Sequence, residues 1–277
     1  MDCRVKPGND EQDECDPGCS VDGPAGARHG APRSELRNFG VKDFVKKLEY
    51  RTIKPAVRAL QAWRYVTYGG IRVHHKRYLD GGGSAFGQDY VPFLHDCDMP
   101  RQARVFEWCA GPAFIGFALL GYGLAETLCL ADINPAAVHA CRRTIADNGL
   151  ADRVSVYRSD NLDDIPSSER WDLVVGNPPH FDWTQIGEIR IADSDWHIHR
   201  RFFATVGLFL KPGGVILLQE NNHGSTPDTF RQMIEDAGFT IVLVHNAEPR
   251  ITPYTRYYYL GVMRQGETVP EWLKRPT

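Results

Sequence analysis

Nowhere in the 277 residues does an apolar run approach the roughly 18 needed to cross a bilayer. The opening stretch, MDCRVKPGNDEQDECDPGC, has no apolar segment of the kind a secretory leader requires. Both features point to a cytoplasmic protein. The seven cysteines (3, 15, 19, 97, 109, 129 and 141) lack the paired spacing of a disulfide framework. Cys15 and Cys19 form a C-x3-C with no second pair and no nearby histidine, so no structural zinc is expected. The last three cysteines lie in apolar stretches and read as buried, reduced thiols. His197 and His199 are two apart, and positions i and i+2 do not share a helix face, so a metal is not expected there either. Large apolar residues are nearly missing from residues 1–33, which are rich in Gly, Pro, Asp and Glu. Such a segment buries too little surface to offset its chain entropy, and 1–33 is expected to be a disordered tail.

What is present divides unevenly. The net charge is −3, and residues 1–33 hold seven acids against four bases, so the remainder is neutral overall. Within it, Lys42, Lys46, Lys47, Arg51, Lys54, Arg58, Arg64, Arg72, Lys76 and Arg77 face only Asp43 and Glu49. That run is either a solvated helix face or a footprint for an anionic partner. Val41, Phe44, Val45 and Leu48 recur at helical spacing. Pro55 suits the first turn of a second helix, through Val57, Leu60 and Trp63. The Gly-rich stretch 78–94 reads as irregular. Residues 34–95 are therefore expected to form a helical, Gly-rich extension ahead of a domain over 96–277.

From 103 onward strand and helix alternate. Strands are expected at 103–109, 127–133, 154–160, 171–177 and 215–221. Helices are expected at 112–120, from Asn134-Pro135 to Asn148-Gly149, at 195–210 and from Thr226-Pro227 to Gly238. Lys211-Pro212-Gly213-Gly214 closes the third of these. Segments 240–246 and 256–264 pair antiparallel at the sheet edge. This order implies an α/β fold, a doubly wound and mostly parallel seven-stranded sheet with helices on both faces.

In such sheets ligands sit outside the carboxyl ends of the strands. The residues there are Glu107, Asp132, Asp160 and Asn177. After the first strand, Gly111 lets a ligand approach the backbone and Gly116 lets the helix pack closely. Asp132, at the end of the second strand, suits the two hydroxyls of a ribose. The G-x-G-x-x-G that cradles a pyrophosphate is missing, which weighs against a dinucleotide oxidoreductase. Asp160-Asn161 suits an adenine edge. Asn177-Pro178-Pro179-His180 follows an apolar strand, and its prolines fix φ and aim the neighbouring carbonyls.

These strings carry a resemblance. Glu107 to Gly116 resembles the first motif of class I S-adenosylmethionine (SAM)-dependent methyltransferases, Asp132-Ile133-Asn134-Pro135 their second, and Ser159-Asp160-Asn161-Leu162 their third. Asn177-Pro178-Pro179-His180 resembles the Asn-Pro-Pro-aromatic motif of the amine and amide N-methyltransferases. The likeness runs from about 78 to 264 and is nearest to the release-factor glutamine methyltransferases and their nucleic-acid-modifying relatives. It implies the seven-stranded Rossmann-like sheet of that class, with SAM held by Glu107, Cys109, Gly111, Phe114, Asp132, Ile133, Asp160, Asn161 and Asn177. It implies a catalytic set of Asn177, Pro178, Pro179 and His180, with Phe86, Gln88, Asp89 and His180 facing the substrate. Cys109 and Ala113 stand where the family usually has glycine, and His180 where it usually has Phe, Tyr or Trp.

The chemistry the resemblance implies is methyl transfer from the sulfonium to a planar NH2 nitrogen. The lone pair of such a nitrogen is delocalised, and acceptors on Asn177 and Pro178 aim it at the methyl. A protein glutamine amide is slightly favoured as acceptor. An exocyclic base amine in RNA or DNA, or a small-molecule or peptide amine, is the alternative. A non-catalytic SAM-fold binding protein is disfavoured by the intact tips. No membrane partner and no metal are expected. Tyr254, Tyr257, Tyr258 and Tyr259 are expected to follow the alternation of an edge strand.

Overall fold

A computed structural model describes residues 57, 60–80, 83–181, 192–247 and 257–274, without the side chains at 83, 85, 86 and 88. All of them belong to one compact unit that begins at Pro55. The expected tail 1–33, the helix through Val41 and Leu48, and the side chains of Phe86 and Gln88 lie outside the described residues.

Seven strands form one sheet: β3 (Gln102–Trp108), β4 (Ala125–Asp132), β5 (Val154–Arg158), β6 (Trp171–Gly176), β7 (Leu210–Asn221), β8 (Phe239–Ala247) and β9 (Tyr257–Arg264). Their order is β5-β4-β3-β6-β7-β9-β8. The first five run parallel, and β9 is antiparallel to both β7 and β8. The order reverses between β3 and β6, which is where ligands settle in sheets of this kind. β9 is thus interior, not an edge. Tyr257, Tyr258 and Tyr259 are all buried, so alternation with solvent does not explain them.

The strands are apolar on both faces because both are covered. Val105, Leu128, Leu173, Val175 and Leu217 join one cluster beneath α1 (Gly83–Asp96), α2 (Phe114–Gly121) and α3 (Pro135–Asp147). Phe106, Cys129, Val174, Ile216 and Leu218 join the other beneath α4 (His197–Val206) and α5 (Pro227–Asp236). On that second face Trp108 stacks on Phe202 at 3.9 Å and Phe106 on Trp171 at 3.9 Å. Such pairs add about 0.5–1.5 kcal/mol beyond area burial. The helix starts at Asn134-Pro135 and Thr226-Pro227 form as their residues dictate. The Asn134 side chain accepts from the Ala136 N–H at 3.0 Å, and Thr226 with Thr229 makes a capping box.

Four elements depart from expectation. The helix projected through Trp63 gives way to a hairpin of β1 (Trp63–Tyr68) and β2 (Ile71–Lys76). From Gly83 onward the Gly-rich stretch is α1, not an irregular segment. A Cβ at Gly87 would stand 2.5 Å from the Phe114 carbonyl oxygen, so glycine is what lets α1 lie against α2. The helix expected over 195–210 is shorter. Asp195 (φ 53°) and Trp196 (φ 55°) are left-handed and break it before His197, and β7 already begins at Leu210. Lys211-Pro212-Gly213-Gly214 is a register shift inside the β6–β7 pairing instead of a linker before it.

Candidate functional site

The carboxyl ends of β4, β3 and β6 lie side by side, with Asp132, Glu107 and Asn177 at or beside them. Glu107 is only 2% exposed and serves the loop from below. Its Oε2 accepts the Gly116 N–H at 2.6 Å and its Oε1 the Ile115 N–H at 3.3 Å. Burial pushes this carboxyl up to about 8, against the pull of those two N–H bonds. A Cβ at Gly116 would meet Glu107 Oε2 at 2.7 Å, which accounts for the glycine.

Asp132 is half-buried and ties two turns together. Its Oδ2 accepts the Gly111 N–H at 2.7 Å and its Oδ1 the Asn134 N–H at 2.7 Å. Burial raises its pKa, against those two bonds. Cys109 (φ 51°), Gly111 (φ 54°) and Ala113 (φ 62°) are all left-handed, so the loop coils tightly through three such positions in five residues. A Cβ on Gly111 would meet nothing within 4 Å, which leaves open space above that turn. Of the other expected cofactor residues, Phe114 is buried edge-on against His75 at 5.2 Å, and Ile133 is 59% exposed. Asp160 is exposed and pairs with Arg201 at 3.1 Å. Asn161 donates to the Ile198 carbonyl at 2.9 Å, while its buried Oδ1 has no partner among the described residues.

At the β6 tip, Tyr90 of α1 donates both to the Gly176 carbonyl at 3.1 Å and to the Leu217 carbonyl at 2.9 Å, pinning α1 over the start of the Asn-Pro-Pro segment. Asp89 beside it accepts the Tyr257 hydroxyl at 2.6 Å. His180 Nδ1 is 3.0 Å from the Pro178 carbonyl. Burial drives the imidazole down to about 4, so the ring is neutral at pH 7. A carbonyl only accepts, so Nδ1 carries the proton and Nε2 keeps its lone pair. A Cβ at Gly224 would sit 1.9 Å from the His180 carbonyl oxygen, so the loop after β7 closes directly on the segment.

Beneath this tip lies a set that sequence reasoning passed over. His199 Nδ1 is 2.7 Å from Asp193 Oδ2 and its Nε2 is 3.1 Å from Glu220 Oε1, and all three side chains are fully buried. Burial opposes a charge on His199, but Glu220 and Asp193 outweigh it and lift the imidazole to about 9. It is an imidazolium donating from both nitrogens. Asp193 also accepts the Ile198 and His199 N–H groups, and its own N–H bonds the Phe181 carbonyl at 2.7 Å. The set is thereby tied to Phe181, the residue next to His180. Its signal in the sequence was Glu220, a carboxylate that continues the apolar strand run Val215-Ile216-Leu217-Leu218.

Comparison with known proteins decides the family. A model of the methyltransferase small domain matches residues 91–242. The chain belongs to the methyltransferase small domain family. Among curated relatives, the ribosomal RNA small subunit methyltransferase C of Shewanella loihica is 30% identical over 60% of this chain and 42% of its own length. The release factor glutamine methyltransferase of Clostridium acetobutylicum is 26% identical over 54% of this chain and 56% of its own length. The chain thus spans about half the length of the curated relatives it matches. In fold it is similar to the 16S rRNA N2 G1207 methyltransferase of T. thermophilus, solved with AdoMet and guanosine. The TM-score is 0.53 at 17% identity, over 74% of this chain and 51% of that one.

Proposed function

We propose that this member of the methyltransferase small domain family moves a methyl group from SAM to a planar NH2 nitrogen. The observation that carries the reading is the placement of Asn177-Pro178-Pro179-His180 directly after β6, next to the coiled loop after β3 and Asp132 on β4. The residues fit the adenosyl group. Asp132 has remaining lone pairs for ribose hydroxyls, and the open space above Gly111 admits a ligand against the backbone. The orphaned Asn161 Oδ1 can accept an amine N–H of adenine. Glu107 acts through the loop it holds and not by touching the ligand. SAM, when bound, supplies an electrophilic methyl.

The chain's own work is then orientation. Asn177 Oδ1 and the Pro178 carbonyl accept the two N–H bonds of the acceptor, which turns the nitrogen lone pair toward the methyl and favours the positive charge that develops. The Pro178 carbonyl shares itself with the His180 ring, and that bond fixes its direction. The neutral ring presents a flat face for stacking, and its Nε2 is an acceptor. At a pKa near 4 it is too weak a base to remove a proton before transfer, so the proton leaves afterward to water.

A glutamine amide and an exocyclic base amine offer the same NH2 on an sp2 carbon, and curated relatives act on each kind. Methyl-labelled SAM incubated with ribosomes and lysate tests the reading. Label is expected in protein or RNA, and its absence from every fraction would refute transfer. Asn177→Ala is expected to lower turnover by more than 100-fold with SAM affinity within about twofold of the parent, since only the acceptor loses its partner. Asp132→Ala is expected to weaken SAM binding itself by about 10-fold or more, the worth of a charged hydrogen bond. Unchanged affinity by calorimetry would overturn the ribose assignment.

A further inference from the structure

Apart from His75, which packs on Phe114, the β1–β2 hairpin has no part in the site described above, yet its surface composition is unusual. Between Glu49 and Asp80 the chain has no carboxylate in 30 residues. Register places Trp63, Tyr65 and Thr67 opposite Lys76, His74 and Arg72, so these six share one face. On it, the Arg72 guanidinium lies 4.9 Å from the centre of the Tyr65 ring. Trp63 is flanked by Lys76 at 5.4 Å and, from α3, by Arg143 at 4.8 Å. Tyr65 is 60% exposed. The adjoining carboxylate, Asp147, is 2.6 Å from His74 Nε2 and 4.0 Å from Arg143 Nε, so it is shared between the hairpin and α3 while Arg72 and Lys76 lie outside that pairing.

The hairpin is rigidly mounted. Arg72 exchanges two backbone bonds with the Asn148 side chain at 2.9 Å each, and the His74 N–H bonds Thr144 Oγ1 at 2.9 Å. Its open end, where Trp63 pairs with Lys76, lies by His139 in the first half of α3. There His75 meets Phe114 at the start of α2. Both helices begin at the carboxyl edge of the sheet, so the aromatic and basic face leads toward the methyl-transfer site.

We propose that this face binds an unpaired stretch of RNA. Bases stack on Trp63 and Tyr65 while Arg72, Lys76 and Arg143 take the phosphates. Rings interleaved with cations are what a single strand needs, because every base has a flat face and every linkage a negative charge. An acidic protein segment would use the cations and leave both rings idle. The choice of RNA as the acceptor rests on the methyl-transfer reading, but the binding surface does not.

The test is fluorescence anisotropy of the full chain with a labelled 20-nucleotide single-stranded RNA, the same sequence as DNA, an RNA duplex and a poly-glutamate peptide. Single-stranded RNA is expected to bind most tightly, with affinity falling as salt rises. Tyr65→Ala is expected to cost about tenfold in RNA affinity, and Arg72→Glu with Lys76→Glu more, with SAM affinity unchanged and KM for the acceptor raised at constant kcat. Tyr65 is exposed, so the fold is expected to survive its loss. RNA affinity unchanged in these variants would overturn the proposal, as would tighter binding of DNA or poly-glutamate. If the variants bind RNA normally while Asn177→Ala abolishes transfer, the surface fails and the methyl-transfer reading stands. If they lose RNA while no methyl is ever transferred, the reverse holds.

Discussion

Ala113 holds φ 62° with no solvent exposure at the N-terminal boundary of α2. An L-residue in that region carries a strain of about 1–2 kcal/mol, which glycine lacks. Glycine in turn loses about 0.4–1 kcal/mol through its freer unfolded chain. Ala113→Gly is therefore expected to leave stability unchanged or raise it by up to about 1 kcal/mol. Ala113→Val, β-branched and buried, is expected to lower it by more than about 2 kcal/mol. Urea unfolding checks both, and a stabilising valine would sink the argument. Residue identity alone marked Cys109 and Ala113 as departures from glycine. That they nonetheless adopt the left-handed turn is a tertiary fact, enforced by Glu107 and Asp132 gripping the same loop.

At the level of elements, the Asp193–His199–Glu220 set joins α4, β7 and, through the Asp193 N–H, Phe181. Its imidazole sits at about 9, above the ordinary 6.5, so the charged ring stabilises the fold fully below pH 6.5. That contribution is lost as pH rises from 6.5 through 9. His199→Gln strands two buried carboxylates and is expected to cost about 3–5 kcal/mol. It should also flatten the decline of stability between pH 6.5 and 9, measured by denaturant midpoints. Equal slopes in both proteins would mean that His199 is not the titrating group. Sequence periodicity could not find this set, because its members are 6 and 21 residues from His199 and meet only through packing. The parallel strands and the Asn-Pro-Pro tip were legible because double-sided burial writes continuous apolar runs ending in polar residues. The hairpin was not. Val57, Leu60 and Trp63 keep helical spacing, and the side chains that turn 63–76 into strands reside on α3. In α1, glycine's weak helix propensity was outweighed by its fit against Phe114.

For the whole molecule, binding and stability are linked. SAM at a hundredfold excess over its Kd should add about 2.7 kcal/mol, which for a unit of this size is a rise in Tm of roughly 5–10 °C. Asp132→Ala should lose about half of that rise or more at the same SAM concentration in differential scanning fluorimetry. An undiminished rise would place the cofactor elsewhere.

The strand order has a further consequence for synthesis. β9 follows β8 in the chain yet lies between β7 and β8, and Tyr258 and Leu260 reach the core through it. A nascent polypeptide that has emerged only as far as β8 displays two unsatisfied strand borders with a strand-wide gap between them. Such an intermediate invites pairing with a neighbouring copy. Until the tyrosine strand leaves the ribosome and threads the gap, the protein depends on whatever shields those borders.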